Sequence, residues 1–230
     1  MNEPIVKLDE VTKTYPQGNQ TIAAVAGLSL QIEPGEFTAL CGPSGSGKTT
    51  TLNLIGALDV PTSGTIVVEG HDISHMSRAE LATVRRDRIG FVFQAYNLIP
   101  VLTAYENAEF VLALKKVPAD ERRRRVIDML DAVGLAGLED RRPDELSGGQ
   151  QQRVAIARAI VGKPAIVLAD EPTANVDSEN AEALLDIMQD LNETHGVTFL
   201  FSTHDERVMR RAKRIVHLRD GALDHEENRA

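Results

Sequence analysis

The chain has 230 residues, enough for one sizeable hydrophobic core with an inserted subdomain. Its 25 Lys and Arg against 34 Asp and Glu give a formal net charge of -9, which together with 4% aromatic residues argues against a nucleic-acid partner. One cysteine in the whole sequence excludes an internal disulfide and a cysteine-based metal cluster, and fits a reducing compartment.

Alternating apolar and polar residues predict antiparallel β-structure at both ends of the chain. The N-terminal residues mix acids with apolar side chains and form no export signal. No run of about 18 apolar residues is present, so we expect the chain not to span a membrane and any membrane role to come through a partner. The single cysteine makes the cytoplasm the expected compartment. The alternating segments, separated by Gly or Pro turns, are residues 4–15, 27–33, 64–70 and 214–223.

Short apolar runs in the middle of the chain predict parallel strands at the centre of a sheet. These runs are residues 36–41, 165–170 and 197–203. Each is flanked by sequence with helical spacing, and a helix is expected over residues 48–58, directly after the first run.

Between residues 103 and 144 the apolar residues recur at helical spacing. This predicts two amphipathic helices, over residues 103–116 and 120–135. The order of elements indicates an α/β fold with a mostly parallel core sheet, an antiparallel β subdomain and an inserted α-helical subdomain.

A glycine-rich loop follows the first central strand. Residues 42–49 match the phosphate-binding pattern G-x-x-x-x-G-K-[ST], whose glycines let successive backbone N–H groups converge on phosphate oxygens. We expect Lys48 to reach the β- and γ-phosphates and the Thr49 hydroxyl to bind Mg²⁺. The strand before the loop and the helix after it argue against a simple flexible turn. The candidate nucleotide-binding residues are Gly42, Pro43, Ser44, Gly45, Ser46, Gly47, Lys48, Thr49 and Thr50.

The second central strand ends in two acids, Asp170 and Glu171. Beside a phosphate-binding loop, Asp170 is expected to act on Mg²⁺, either directly or in its outer sphere. Glu171 is expected to be the general base that orients and polarises the attacking water. Without such a loop, two acids at a strand end would more often cap a helix or face solvent.

A second glycine turn, LSGGQ at residues 146–150, precedes another amphipathic helix. The free N–H groups at the helix start, together with the Ser147 hydroxyl, would form a second anion site. Taken alone, a serine N-cap with a glycine hinge explains Ser147, Gly148 and Gly149 equally well.

In this order, the motifs resemble those of the ATP-binding-cassette (ABC) ATPases, and the resemblance covers nearly the whole chain. The matching motifs are Walker A (residues 42–49), the Q-loop (Gln94), LSGGQ (146–150), Walker B (166–171), the D-loop (Asp177) and the switch histidine (His204). The resemblance implies a P-loop NTPase fold, ATP and Mg²⁺ as ligands, and ATP hydrolysis as the activity.

The resemblance also implies individual roles. Tyr15 stands where the family stacks an aromatic ring on adenine, although a tyrosine in a strand also packs on a core. Gln94 is implied to contact Mg²⁺ and, with Lys48, Glu171 and His204, to serve catalysis. The family dimerises head to tail, so Ser147, Gly148, Gly149, Gln150 and Asp177 are implied to contact the ATP bound to the other subunit.

The implied organisation is a single ABC ATPase domain over residues 1–230. Residues 1–93 and 163–230 form the nucleotide-binding core with its antiparallel portion. Residues 94–162 hold the Q-loop and an α-helical subdomain that ends in the LSGGQ helix.

Two longer stretches, residues 89–107 and 168–178, are similar to the branch of lipoprotein-release, macrolide-export and cell-division ATPases, although Ala174 and Val176 stand where this branch usually has Gly and Leu. The branch implies a separate permease, export or extraction of a substrate, and a peripheral location at the cytoplasmic face of the inner membrane. An ATP-gated regulator of a non-transporting permease that controls an extracytoplasmic enzyme is the open alternative.

The segment after Gln94 is unusually apolar for a loop. It contains Tyr96, Leu98, Ile99, Val101 and Leu102. Such a patch predicts a socket for the permease, while packing on the helical insertion is the competing interpretation.

Three further features receive simpler interpretations. Arg122 to Arg125 are expected to form a solvated helix face. Cys41 is expected to be a small buried residue at a strand end. Five histidines show no metal-like spacing and are assigned no role: His71, His75, His195, His217 and His225.

Overall fold

The computed structural model describes residues 3–229 except residue 19. The strands are β1 (Val6–Gln17), β2 (Gln20–Ile32), β3 (Phe37–Cys41), β4 (Ser63–Val68), β5 (His71–Asp72), β6 (Ile89–Phe93), β7 (Ile166–Asp170), β8 (Phe199–Ser202), β9 (Arg214–Arg219) and β10 (Ala222–Asn228). The α-helices are α1 (Lys48–Ile55), α2 (Arg78–Arg88), α3 (Ala104–Leu114), α4 (Ala119–Ala132), α5 (Gly148–Ile160), α6 (Ser178–His195) and α7 (Glu206–Arg211).

Two sheets organise these elements. The six-stranded sheet has the order β10-β9-β3-β8-β7-β6, and the four-stranded sheet has the order β2-β1-β4-β5. Strands β9, β3, β8, β7 and β6 are mutually parallel neighbours, whereas all pairs in the four-stranded sheet are antiparallel. The predicted combination of a parallel core sheet, an antiparallel sheet and inserted helices is therefore confirmed.

The core sheet is covered on both faces, which is why its strands are apolar throughout. Phe37, Ala39 and Cys41 of β3 pack with the helical layer, while Leu40, between Ala39 and Cys41, faces the antiparallel sheet and α1. The same alternation divides β8: Phe201 lies 4.6 Å from Phe37 between ring centroids, and Leu200 points to the other side. The alternation of side chains along each strand thus builds two cores on one sheet.

The C-terminal hairpin differs in part from the sequence prediction. Strand β10 does pair antiparallel with β9, but β9 lies parallel beside β3 and belongs to the core sheet. Residues 214–223 are therefore not part of the separate antiparallel sheet. The alternating pattern misleads here because β10 is an edge strand with most of its residues exposed.

The sequence prediction misses several elements, among them helix α2 and strand β6. Helix α2 buries only Leu81 and Val84, so its apolar stripe is too narrow to stand out among the arginines. Strand β6 is only five residues long and contains Gly90, a residue that normally weakens a strand. Both depend on tertiary packing more than on local preference.

The inserted helices α3 and α4 are confirmed with slightly shorter bounds. A reciprocal pair of hydrogen bonds between Thr103 and Glu106 caps α3. The arginine run on α4 is only half solvated: Arg122 donates to Glu109 Oε1 at 2.7 Å, and Arg125 donates to Val161 O at 2.6 Å. Among the described residues, no helix combines the length and apolarity needed to cross a membrane.

A close main-chain approach holds α5 against β6. A Cβ atom on Gly90 would lie 2.5 Å from the carbonyl oxygen of Ala159, a helical main-chain atom that cannot move aside. The glycine in β6 therefore sets the distance of the LSGGQ helix from the core sheet.

Replacing Gly90 with Ala should lower the free energy of unfolding by about 1–3 kcal/mol, because the added methyl overpacks this contact. Equilibrium unfolding in urea measures the change. Gly162→Ala is the matched control, since its nearest neighbour would be the flexible Lys115 amine at 3.4 Å. Equal stability of the two variants would contradict this explanation of Gly90.

Candidate active site

The glycine-rich loop connects β3 to α1 and is shaped by its main-chain neighbours. A Cβ on Gly42 would overlap Leu218 O, and a Cβ on Gly47, whose φ is 96°, would overlap Ala24 O. Both positions therefore require glycine for space as well as for backbone conformation. The loop leads directly into the N-terminus of α1, where free N–H groups and the helix dipole favour the binding of an anion.

A pocket of about 790 Å³ opens above this loop. It contains every predicted residue of the loop together with the two acids, the Q-loop glutamine, the histidine and the aromatic residue predicted from distant parts of the sequence. Its lining is Tyr15, Ala24, Gly42, Pro43, Ser44, Gly45, Ser46, Gly47, Lys48, Thr49, Thr50, Gln94, Asp170, Glu171, Ser202 and His204. Ala24 and Ser202 also line the pocket, and the sequence does not predict them. Each lies on a strand, β2 or β8, that only the folded structure brings next to the loop.

Lys48 lies at the start of α1 and closes the loop on itself. Its ammonium group donates to Gly42 O at 2.8 Å and to Pro43 O at 3.0 Å. These bonds place a positive charge beside the free N–H groups of the helix start, so the base of the pocket is electropositive.

The two acids at the end of β7 have different surroundings. Glu171 has a φ of 45°, and its N–H donates to Ser202 O at 2.9 Å. Its carboxylate accepts from Thr203 Oγ1 at 3.1 Å and lies 2.6 Å from His204 Nδ1. The Glu171 side chain is 18% exposed and the His204 ring 80%, so the histidine covers the carboxylate from the solvent side.

Asp170 instead presents an unpartnered oxygen. Within the part of the chain that the structure describes, Asp170 Oδ1 is buried without a hydrogen-bond partner, and Ser202 Oγ and Ser46 Oγ share this property. A buried carboxylate oxygen with no donor matches the oxygen ligands that Mg²⁺ and its bound water prefer. The residues present therefore fit a magnesium ion.

Asp205 ties the histidine segment to the segment that follows Glu171. Its carboxylate accepts from Thr173 Oγ1 at 2.6 Å and from the N–H of Arg207 at 2.8 Å, which caps α7. Burial by itself would raise the pKa of Asp205, but hydrogen bonds from Arg207 and Thr173 outweigh it and lower the pKa to about 2. The sequence shows only an acid before a short helix, too weak a signal to predict this link.

Tyr15 lies at the edge of the pocket and is 39% exposed, so it is not a core residue. Its hydroxyl donates to Asp59 Oδ2 at 2.7 Å, and Asp59 Oδ1 accepts from Lys13 Nζ at 2.6 Å. The Lys13 ammonium lies 5.1 Å from the centre of the Tyr15 ring. Partial burial and the Asp59 carboxylate raise the pKa of Tyr15, so the phenol stays protonated and its ring is held in place.

The LSGGQ segment caps α5 and does not line this pocket. Ser147 Oγ accepts from Gln150 N at 3.3 Å, and Gln150 Oε1 accepts from Ser147 N at 2.8 Å. A Cβ on Gly148 would lie 2.8 Å from the Tyr96 hydroxyl. The serine N-cap interpretation is thus correct as a description of the fold, and it leaves the function of the exposed helix start open.

Asp177 also lies outside the pocket lining. Its side chain caps α6 by accepting from Asn180 N at 3.0 Å and Asn180 Nδ2 at 2.7 Å. The segment before it is joined to the loop after Gln94, because Tyr96 donates to Asn175 O at 2.8 Å and Asn175 donates to Gln94 O at 2.9 Å. The segments after Gln94 and before Asp177 are therefore joined to each other beside Gly148 at the start of α5.

The apolar loop after Gln94 is neither wholly buried nor wholly free. The buried Asn107 side chain bonds the main chain of Ile99, Leu102 and Thr103 and fixes the loop on α3. Leu98 is half-buried and packs against the core, whereas Val101 is 71% exposed. Packing on the rest of the fold therefore accounts for Leu98, whereas Val101 remains exposed.

Cys41, the residue before the loop, is buried as expected. Burial raises the pKa of its thiol to about 11, and the nearby Lys48 only partly opposes this. The thiol is therefore protonated at neutral pH and unreactive.

The sequence profile described as "ABC transporter" matches residues 25–174. An uncharacterized ABC transporter ATP-binding protein, MJ0796 of Methanocaldococcus jannaschii, is 46% identical over 230 residues, which cover 97% of each chain. The macrolide export ATP-binding/permease protein MacB of Brucella melitensis is 44% identical over 220 residues. That match covers 96% of this chain but 34% of MacB, so the chain spans about a third of the length of this relative.

Solved structures give the same result. The dimeric structure of a post-hydrolysis state of the ATP-binding cassette MJ0796, bound to ADP and Pi, superposes with a TM-score of 0.89 at 46% identity, covering 97% of this chain and 98% of the other. A second dimeric structure of MJ0796 has the same TM-score at 45% identity. With the phosphate loop, the acids and the histidine gathered in one pocket, these matches show that the chain belongs to the ABC transporter family and is an ATP-hydrolysing cassette.

Proposed function

We propose that this cassette powers export or extraction through a separate membrane permease, as a head-to-tail homodimer at the cytoplasmic face of the inner membrane. The observation that carries the proposal is the position of the motifs: one pocket is lined by the phosphate loop, Gln94, Glu171 and His204, and no LSGGQ residue lines it. The LSGGQ residues of another copy would complete the site of an ATP molecule bound in this pocket.

In this proposal Tyr15 stacks on the adenine, and the loop N–H groups with Lys48 hold the β- and γ-phosphates. Bound to Thr49, Gln94 and Asp170, Mg²⁺ would neutralise phosphate charge. The unpartnered Asp170 Oδ1 supports this assignment.

Glu171 is the proposed general base. Its carboxylate would accept a hydrogen bond from the attacking water and polarise it toward the γ-phosphorus. Thr203 and His204 hold the two carboxylate oxygens, at 3.1 Å and 2.6 Å, so the base is oriented before the water binds. Because His204 is largely exposed, we assign to it the additional role of contacting the γ-phosphate.

Dimerisation is proposed from the same geometry and from the relatives. The MJ0796 cassette is described as dimeric in both structures that match this chain. In a head-to-tail pair, Ser147, Gly148, Gly149 and Gln150 of one chain would face the γ-phosphate held by the other, with Asp177 beside them. The N-terminus of α5, where Ser147 is exposed, suits that anion.

The proposed permease and substrate class come from the macrolide-export relatives, whose names include a permease. We propose macrolide-type efflux or lipoprotein release as the transport class. The exposed Val101, in a loop fixed by Asn107, supports a docking position for a cytoplasmic part of the permease.

Replacing Glu171 with Gln should slow ATP hydrolysis by roughly 10²- to 10⁴-fold, the usual contribution of a positioned base. ATP binding should remain near parental, because the amide keeps the size of the side chain. Phosphate release and binding of a fluorescent ATP analogue measure the two effects. Glu179→Gln, an exposed change on α6, is the control. Parental turnover by Glu171→Gln would show that another group is the base.

Mixing two disabled chains tests the head-to-tail dimer. One chain carries Lys48→Ala and the other Ser147→Arg, and both also carry Glu171→Gln so that bound ATP is not consumed. If the motifs meet across the dimer, one pocket of the mixed pair collects both lesions and the other is intact. We expect about one trapped ATP per mixed dimer, since one of its two sites is complete.

Dimers of either variant alone are the controls and should trap none. Mixed dimers verified by differential tags that still trap no ATP would contradict the head-to-tail arrangement. The separate measurement of hydrolysis in the parent chain keeps this result distinct from failure of the ATPase itself.

Replacing Val101 with Asp should leave folding unchanged but weaken co-purification with a co-expressed permease by about tenfold, the effect of losing one well-buried interface contact. Leu223→Asp, at an exposed apolar residue on β10, is the control. Leu98→Asp should instead destabilise the fold, because Leu98 packs against the core. Parental recovery of the permease with Val101→Asp would place the docking surface elsewhere.

A further inference from the structure

The hairpin of β9 and β10 brings together two histidines that are eight residues apart in the sequence. His217 and His225 are opposite each other in the register of the hairpin. Their rings are stacked, with centroids 4.1 Å apart and planes within 8° of parallel. The spacing carries no recognisable metal-binding pattern, and only the pairing of the strands creates the cluster.

An irregularity at Asp224 produces this pairing. Ala222 and Leu223 oppose Arg219 and Leu218 in regular order, and the next partner of His217 would be Asp224. A register shift between Leu223 and His225 moves the pairing by one residue. Bulges of this kind redirect side chains to a chosen face.

Glu227 completes a set of three donor atoms. It lies two residues after His225 and so on the same face of β10. Its Oε1 is 3.0 Å from His217 Nε2 and 3.8 Å from His225 Nε2, and all three ligand atoms lie within 4.8 Å of one another. Because Zn–N and Zn–O bonds are about 2.0–2.2 Å, tetrahedral donors are about 3.3–3.5 Å apart. The observed separations bracket that spacing.

Asp224 orients one of the histidines from outside the set. Its Oδ2 lies 2.9 Å from His225 Nδ1, within hydrogen-bonding distance. With Nδ1 turned toward this carboxylate, Nε2 is the ring nitrogen of His225 that faces His217 and Glu227. A histidine that ligates a metal through one nitrogen commonly donates the other N–H to a carboxylate in this way.

The charges around the cluster leave the ligand face open. Arg229 donates to Glu227 Oε2 at 3.0 Å, so the histidines meet the other oxygen, Oε1. The negative charge that a divalent ion requires comes from Asp224 and Glu227, and the guanidinium groups near these two carboxylates are those of Arg219 and Arg229.

We propose that His217, His225 and Glu227 bind a divalent transition-metal ion of the Zn²⁺ class, with Asp224 as the outer hydrogen-bond acceptor of His225. Two imidazoles and one carboxylate match the ligand preference of Zn²⁺ and leave a fourth position for water. This site is separate from the ATP pocket, since none of its ligands is among the residues that line that pocket. An ion there would join β9 to β10 at the edge of the core sheet.

Zn²⁺ titration of the purified full chain against a chromophoric chelator tests the proposal, with Co²⁺ absorption as a second probe. We expect the parent to bind one ion per chain and to show the Co²⁺ absorption bands of a nitrogen-ligated site. We expect His217→Asn and His225→Asn to lose both the bound ion and these bands. Asp224→Asn should keep the stoichiometry but weaken affinity about tenfold or more, as loss of an outer partner does. His195→Asn, at an exposed histidine on α6, is the control and should match the parent.

Thermal unfolding without metal checks that each variant is folded, and Glu227→Gln provides a ligand variant at a partly exposed position that keeps the side-chain size. Zn²⁺ should raise the unfolding temperature of the parent and of His195→Asn, and not that of Glu227→Gln or His225→Asn. The proposal is overturned if the parent binds Zn²⁺ with the same stoichiometry and affinity as folded His225→Asn and Glu227→Gln, which would make the cluster an ordinary ion-pair network.

Discussion

The architecture depends on close main-chain contacts that join the phosphate-binding loop to β2 and to β9. Ala24 of β2 and Leu218 of β9 bring carbonyl oxygens so close to Gly47 and Gly42 that no side chain fits between them. Because these neighbours are backbone atoms, the loop cannot adapt by changing rotamers. The antiparallel sheet, the core sheet and α1 are thereby fixed relative to one another at the phosphate position.

From this fixed loop the catalytic groups follow along the parallel strands. Strand β7 delivers Asp170 and Glu171, and its neighbour β8 leads into Thr203 and His204. Parallel neighbours end at the same edge of a sheet, so groups more than thirty residues apart converge without any special loop. The hydrogen bond between Thr173 and Asp205 then joins the two segments beyond the strand ends.

Local patterns in the sequence are sufficient for much of this arrangement and insufficient for the rest. The loop at residues 42–49 and the apolar strand before Glu171 are predictable because spacing and composition alone define them. Strand β6 is not, since Gly90 is explained only by the approach of α5. The pairing of His217 with His225 also escapes prediction, because it depends on a bulge in a hairpin.

The turn after β9 also bears on how the molecule transmits motion. Gly221 donates to Ser46 O at 3.2 Å and accepts from Ala26 N at 2.8 Å, so the turn is bonded to the phosphate loop on one side and to β2 on the other. Backbone hydrogen bonds are stiff and directional compared with side-chain packing. The two sheets and the phosphate loop are thus tied together by main-chain hydrogen bonds. Helices α3 and α4 instead pack on α5, so a pull on these two helices would act first on their contacts with α5 and not on the hydrogen bonds around the phosphate position.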